Sequence, residues 1–143
     1  MDTTTMGKVL VSATIENLDD LFGAEKGRLP ANQVRRVDVT DALVDTGATG
    51  LLVPQKLIAQ LGLDQIRVRT AKTIVGQTPL RVFRAVRLTV QGRDCVLDVS
   101  EVPDDCSVMI GQIPLESMDW VVDPKNQKLI GNPAHGGEQM IEA

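Results

Sequence analysis

Apolar and polar residues alternate along much of this chain, which is the period of a strand with one buried face. Val9, Val11, Ala13 and Ile15 alternate with Lys8, Leu10, Ser12 and Thr14, predicting a first strand. A longer stretch sets Leu80, Val82, Arg84, Val86, Leu88 and Val90 against Arg81, Phe83, Ala85, Arg87 and Thr89. Gln91-Gly92-Arg93-Asp94 supplies a turn after it, so residues 95–102 are expected as its hairpin partner. Shorter strands are expected at 34–39, 42–44, 51–53, 66–70, 108–110, 120–122 and 128–130. Helix signals are fewer. Pro54, then Leu57, Ile58 and Leu61, then Gly62 predict one short helix, with proline in its first turn and glycine past its end. Residues 114–118 predict a second, of a turn or two. Residues 17–30, with Leu18, Leu21 and Phe22 among acids, fit a third helix or a long loop. The sum is a mainly β fold, a closed barrel or sandwich with one or two short helices. A length of 143 residues suits one domain over 1–143. Its core is expected at about 6–132, with 133–143, containing Pro133 and Gly136-Gly137, loosely ordered.

Composition narrows the classes of function. Aromatic residues are 2% of the chain and Tyr is absent, so Val, Leu, Ile and Ala must build the core. With 15 Lys and Arg against 19 Asp and Glu, the net charge is −4. A nucleic-acid partner would call for a basic face bearing aromatic residues, and none is expected. Cys95 and Cys106 have neither metal-ligand nor redox spacing and read as two buried thiols. Met1 to Met6 hold no leader-like pattern, and no apolar run approaches the roughly 18 residues of a membrane span. The expectation is a cytoplasmic protein with no membrane partner.

Several polar residues invite a chemical reading and favour a plainer one. Asp104-Asp105 follows Pro103 and reads as an exposed turn, not a metal site. Trp120 reads as core. His135, the only histidine, has no partner near it in sequence and reads as solvated, which leaves Ser-His or Cys-His catalysis without support. Arg67, Arg69, Arg81, Arg84 and Arg87 read as a solvated face, with attraction for acidic peptides as the alternative.

One motif carries chemistry. Asp45-Thr46-Gly47-Ala48-Thr49 lies between the apolar strands Ala42-Leu43-Val44 and Leu51-Leu52-Val53, which places a carboxylate in a tight loop between two buried strands. Gly47 lets the backbone approach and offers an amide toward that carboxylate. Thr46 adds a hydroxyl that bonds within the loop or across an interface. The plain alternatives are an ordinary Asp-x-Gly turn and an aspartyl-phosphate nucleophile. Flanking buried strands argue against the first, and missing helical crossovers argue against the second.

This loop, the strand and short helix behind it, and the downstream Val108-Met109-Ile110-Gly111 before another short helix together resemble the retropepsin-like aspartic proteases. The resemblance covers about residues 6–132. It implies that Asp45 is the catalytic carboxylate, that Thr46, Gly47, Ala48 and Thr49 support it, and that Ile110 and Gly111 pack behind the site. Two such carboxylates a few ångströms apart share one proton, and the pair activates water without metal or cofactor. A bell-shaped pH dependence on the acid side follows. Only one Asp-Thr-Gly is present and there is no Asp-Ser-Gly. The resemblance therefore implies a homodimer, each chain supplying Asp45 about a two-fold axis. Two-lobed pepsin-like enzymes place a Tyr in the flap, and this chain has none.

A flap is expected between 66–70 and 80–90, with Ile74, Val75, Gly76 and Gln77 at its tip over a peptide substrate. Retroviral flaps carry more glycine. Retroviral members also pair an Asp, where Thr49 stands here, with an Arg, where Gln112 stands. The double replacement predicts a neutral Thr49–Gln112 hydrogen bond or no contact. The expected activity is an aspartic endopeptidase; the alternative is a non-catalytic dimerisation or peptide-binding module on the same fold.

Overall fold

The chain, as a computed structural model, is described over residues 8–140. Met6 and Gly7 of the expected core and residues 141–143 of the tail lie outside the described residues. Nine strands and three helices follow in order: β1 (Val9–Asn17), α1 (Leu18–Glu25), β2 (Arg36–Val44), β3 (Leu51–Pro54), α2 (Gln55–Leu61), β4 (Asp64–Thr73), β5 (Gly76–Val90), β6 (Arg93–Val102), β7 (Met109–Ile110), α3 (Gln112–Ser117), β8 (Trp120–Asp123) and β9 (Lys128–Gly131). The mainly β class is borne out, with three α-helices among the described residues where one or two were expected. The undecided stretch 17–30 begins with α1 because the Asn17 side chain accepts a hydrogen bond from the Asp20 amide, 3.0 Å away, and so caps the first turn.

Seven strands form one sheet in the order β1-β2-β7-β3-β6-β5-β4, and β1 also pairs with β5. That second pairing, Thr14 with Thr89 through Asn17 with Val86, bends the sheet into a ring. β5 is long enough to serve two neighbours along one edge. Its residues 76–84 pair with β4, and its residues 86–89 pair with β1. The β4–β5 hairpin thus projects from a closed barrel. β8 and β9 form a separate hairpin.

Alternation is translated directly into burial on β1, where Val9, Val11, Ala13 and Ile15 face the core. On β2 it slips. Val11 pairs with Ala42 but Ala13 with Val39, so Thr40 and Asp41 together oppose Ser12 in a β-bulge. The bulge lets both Val37 and Ala42 point inward, and it joins into one strand what the pattern had separated at 39 and 42. The core is aliphatic, with Ile15, Leu51, Leu61, Leu88, Ile110, Leu115 and Met118 fully buried. Each such side chain contributes roughly 1.5–3 kcal/mol relative to exposure. No buried side-chain N or O among the described residues lacks a partner.

Longer-range contacts correct several sequence expectations. The stretch from Asn132 is anchored by Asp119, which is buried and sits at φ 58°. Its carboxylate lies 2.7 Å from His135 Nδ1 and accepts from the Met140 amide and the Asn132 side chain, and Pro133–His135 forms a 3-10 turn. His135 therefore has a partner, and residues 132–140 are docked. Arg93 clamps the same stretch by donating to the Asp119 and Gly137 carbonyls, while its guanidinium lies 4.0 Å above the Trp120 ring. Trp120 is half-buried and packs against the core. Cys95 is buried, which pushes its thiol up to about 11, whereas Cys106 is only partly covered. Asp104 is exposed as expected, yet its carboxylate caps α2 by accepting from the Lys56 amide at 2.8 Å.

Candidate active site

Asp45 follows the last residue of β2, and its backbone is fixed from both directions. Leu43 donates to the Val108 carbonyl and Asp45 to the Ile110 carbonyl, at 2.8 and 2.9 Å, so β2 and β7 deliver the residue as a parallel pair. The chain then turns tightly. The Ala48 amide donates back to the Asp45 carbonyl, and the Gly47 amide donates to Asp45 Oδ1 at 2.9 Å. The amide that the sequence expected from Gly47 is in place. A Cβ at 47 would stand 3.2 Å from that carboxylate oxygen, tight enough that the loop would have to give.

The second segment locks onto the first through main-chain bonds alone. Gly111 donates to the Gly50 carbonyl, Gln112 to Ala48 and Ile113 to Thr49, at 2.8, 2.9 and 2.9 Å. These are the free amides at the start of α3, satisfied by the carbonyls of the 48–50 loop. The approach is so close that a Cβ on Gly111 would lie 2.5 Å from the Gly50 oxygen and 2.6 Å from the Ala48 oxygen. Only glycine fits there. Of the two alternatives for Thr49 and Gln112, the side-chain hydrogen bond is not formed: Gln112 Nε2 donates to Glu116 Oε1, 2.9 Å away. Joining these two segments needs backbone, not charge.

Beside the loop opens a cleft of about 550 Å³. One wall is Gly47, Ala48, Thr49 and Gly50 with Ile113; the other is the β4 stretch Arg69 to Lys72, with Leu80 of β5. The hairpin above it turns at Ile74-Val75, and its strands run beyond the expected limits, pairing Thr73 with Gly76. Gly76 takes φ 124°, which only glycine adopts readily, and the Thr73 hydroxyl donates to its carbonyl at 2.8 Å. Ile74 and Val75 are fully exposed, at 105% and 94%, and Gln77 follows them at the start of β5. Thr46 and Thr49 are exposed and Asp45 half-buried.

The structure thus brings together Asp45 through Thr49 with Ile110 and Gly111, and sets Ile74 to Gln77 at the end of the arm that walls the cleft. Sequence reasoning missed Gly50, Lys72 and Ile113. Gly50 and Ile113 bracket named motif residues and were within reach of the same reasoning. Lys72 lay beyond the expected end of its strand.

A closed barrel in which an Asp-Thr-Gly loop is stitched to an apolar-apolar-Gly strand, under a long projecting hairpin, has the architecture of the retropepsin-like class. A family described as aspartyl protease matches residues 32–132, and the chain belongs to that family. Membership supports a hydrolase of the aspartic protease type. No curated protein matches the chain. No helix among the described residues is long and apolar enough to cross a membrane.

Proposed function

We propose that the protein is an aspartic endopeptidase acting as a homodimer, in which Asp45 of each subunit shares one activated water. The observation that carries this reading is the Asp45 loop, held by backbone bonds from β7 and α3 at the side of a cleft. One carboxylate of the pair takes a proton from water as general base. The protonated one hydrogen-bonds the scissile carbonyl and stabilises the oxyanion as it forms. No covalent intermediate is required. In this reading Thr46, exposed on the isolated chain, bonds across the two-fold axis, and Gly47 supplies the amide that orients the carboxylate. The hairpin ending at Ile74, Val75, Gly76 and Gln77 is the flap that closes over an extended peptide and excludes water. The thiols of Cys95 and Cys106 are free, which suits a reducing compartment such as the cytoplasm.

The test pairs cleavage with assembly. Wild type and Asp45→Asn are incubated with a diverse peptide mixture from pH 3 to 8, and both are sedimented. A dimer whose cleavage needs Asp45 and follows a bell-shaped acid profile supports the reading. Cleavage unchanged in Asp45→Asn sinks the mechanism, and an inert dimer leaves a binding module.

A further inference from the structure

The hairpin arm differs in charge from the rest of the molecule. Residues 64–84 hold five basic side chains, Arg67, Arg69, Lys72, Arg81 and Arg84, against one acid, Asp64. The remaining chain carries ten Lys and Arg against eighteen Asp and Glu. Part of the arm's charge is neutralised on the barrel side, where Arg81 pairs with Glu101 at 2.6 Å and Arg67 with Asp98 at 3.4 Å. Arg69 and Lys72 make no ion pair among the described residues, and these two line the cleft. No carboxylate among the described residues shares that lining. They also sit on β4, the outermost strand of the sheet, whose free edge offers unpaired backbone groups to an extended chain.

We infer that Arg69 and Lys72 are specificity-determining residues that select substrates bearing Asp or Glu in the stretch lying along β4. The inference rests on the peptidase reading for its consequence in catalysis but not for binding. In a two-fold dimer the wall is duplicated, so acidic side chains are favoured on both flanks of the scissile bond. Each contact is a partly solvated ion pair of modest strength; two together give an effect of about tenfold that fades as salt rises.

Binding is measured first, on the Asp45→Asn protein, by fluorescence anisotropy with an acidic peptide and its Asn/Gln counterpart. The acidic peptide is expected to bind about tenfold tighter at low salt, with the preference lost in Arg69→Gln/Lys72→Gln and reversed toward a Lys/Arg peptide in Arg69→Glu/Lys72→Glu. Both residues are exposed, so thermal melting of the variants should match the parent. Equal binding of the two peptides, a preference surviving charge reversal, or tighter capture of a single-stranded oligonucleotide of equal charge overturns the inference. Sequencing of library products then separates the two claims. Acid-flanked cuts by wild type that shift in the reversed variant support both, and Asp45-dependent cuts blind to charge overturn only the wall. Charge-dependent binding with no cleavage leaves the wall standing and removes the peptidase.

Discussion

The loop at Asp45 and the hairpin that ends at Ile74-Val75 bound the same cleft and are held in opposite ways. The loop is bonded through its backbone on both sides, to β7 and to the start of α3, and one of its partners has no room for a methyl group. The hairpin is tied to the barrel at its base by Arg67–Asp98 and Arg81–Glu101, but beyond them it has only its own ladder and one hydroxyl bond at the turn, and its two apolar tip residues are fully exposed. On the dimeric reading, a carboxylate that must meet its partner's closely is placed where backbone bonds hold the chain on both sides. On the same reading, a tip that must open and close is placed where little holds it.

Substitutions test that contrast at both ends. Asp45→Asn should lower kcat/KM by at least about 10²–10⁴-fold, the usual worth of general acid–base catalysis, while the melting temperature stays put. Next in size, Gly111→Ala should cost about 1–3 kcal/mol in chemical denaturation and remove activity with it, because the new methyl meets two backbone oxygens that cannot step aside. Gly50→Ala is the control: nothing lies within 4 Å of a Cβ there, and stability should change by less than about 0.5 kcal/mol. A tolerated Gly111→Ala would break the idea of a rigid loop. At the hairpin, Ile74→Ser/Val75→Ser should leave stability within about 0.5 kcal/mol of wild type while raising KM in peptide assays. A drop of several degrees in melting temperature would mean that the tip is packed, and the contrast would fail.

The smallest effect concerns the docked stretch 132–140. The hydrogen bond to His135, first among its partners, holds the Asp119 carboxyl below the usual carboxylate range. A carboxyl lowered on folding adds stability that is complete above its unfolded value and is lost as pH falls through the folded one. Urea midpoints for wild type and Asp119→Asn should therefore differ near neutrality and converge under acid. A gap that widens on acidification would contradict the pairing.

Local pattern was enough where local forces decide. β1, the β5–β6 hairpin and the ends of α2 at Pro54 and Gly62 lie close to where alternation and end signals put them. The Asp45 loop was legible too, Gly47 from the need for close backbone approach and Gly111 from the family resemblance. What stayed hidden depends on residues far away in sequence. The Thr40-Asp41 bulge is fixed by pairing with Ser12, the cap of α2 comes from Asp104, and His135 finds its partner sixteen positions back. A seam between β1 and β5 cannot be read from either strand alone. Lys72 faces the cleft only because β4 runs on to Thr73.

That seam has a consequence for how the chain is made. β1 meets its first neighbour early, as Thr14 bonds to Asp38 across 24 positions. Its other edge waits for Arg87, which reaches Glu16 across 71 positions. At ribosomal rates of roughly 5–20 residues per second, that edge stands open for about 4–14 s during synthesis, with Glu16 still lacking the closer of its two arginines. Contacts so distant in sequence also slow folding toward the millisecond-to-second range. Until the β1–β5 seam closes, a nascent chain therefore presents an open strand edge with which another chain can pair.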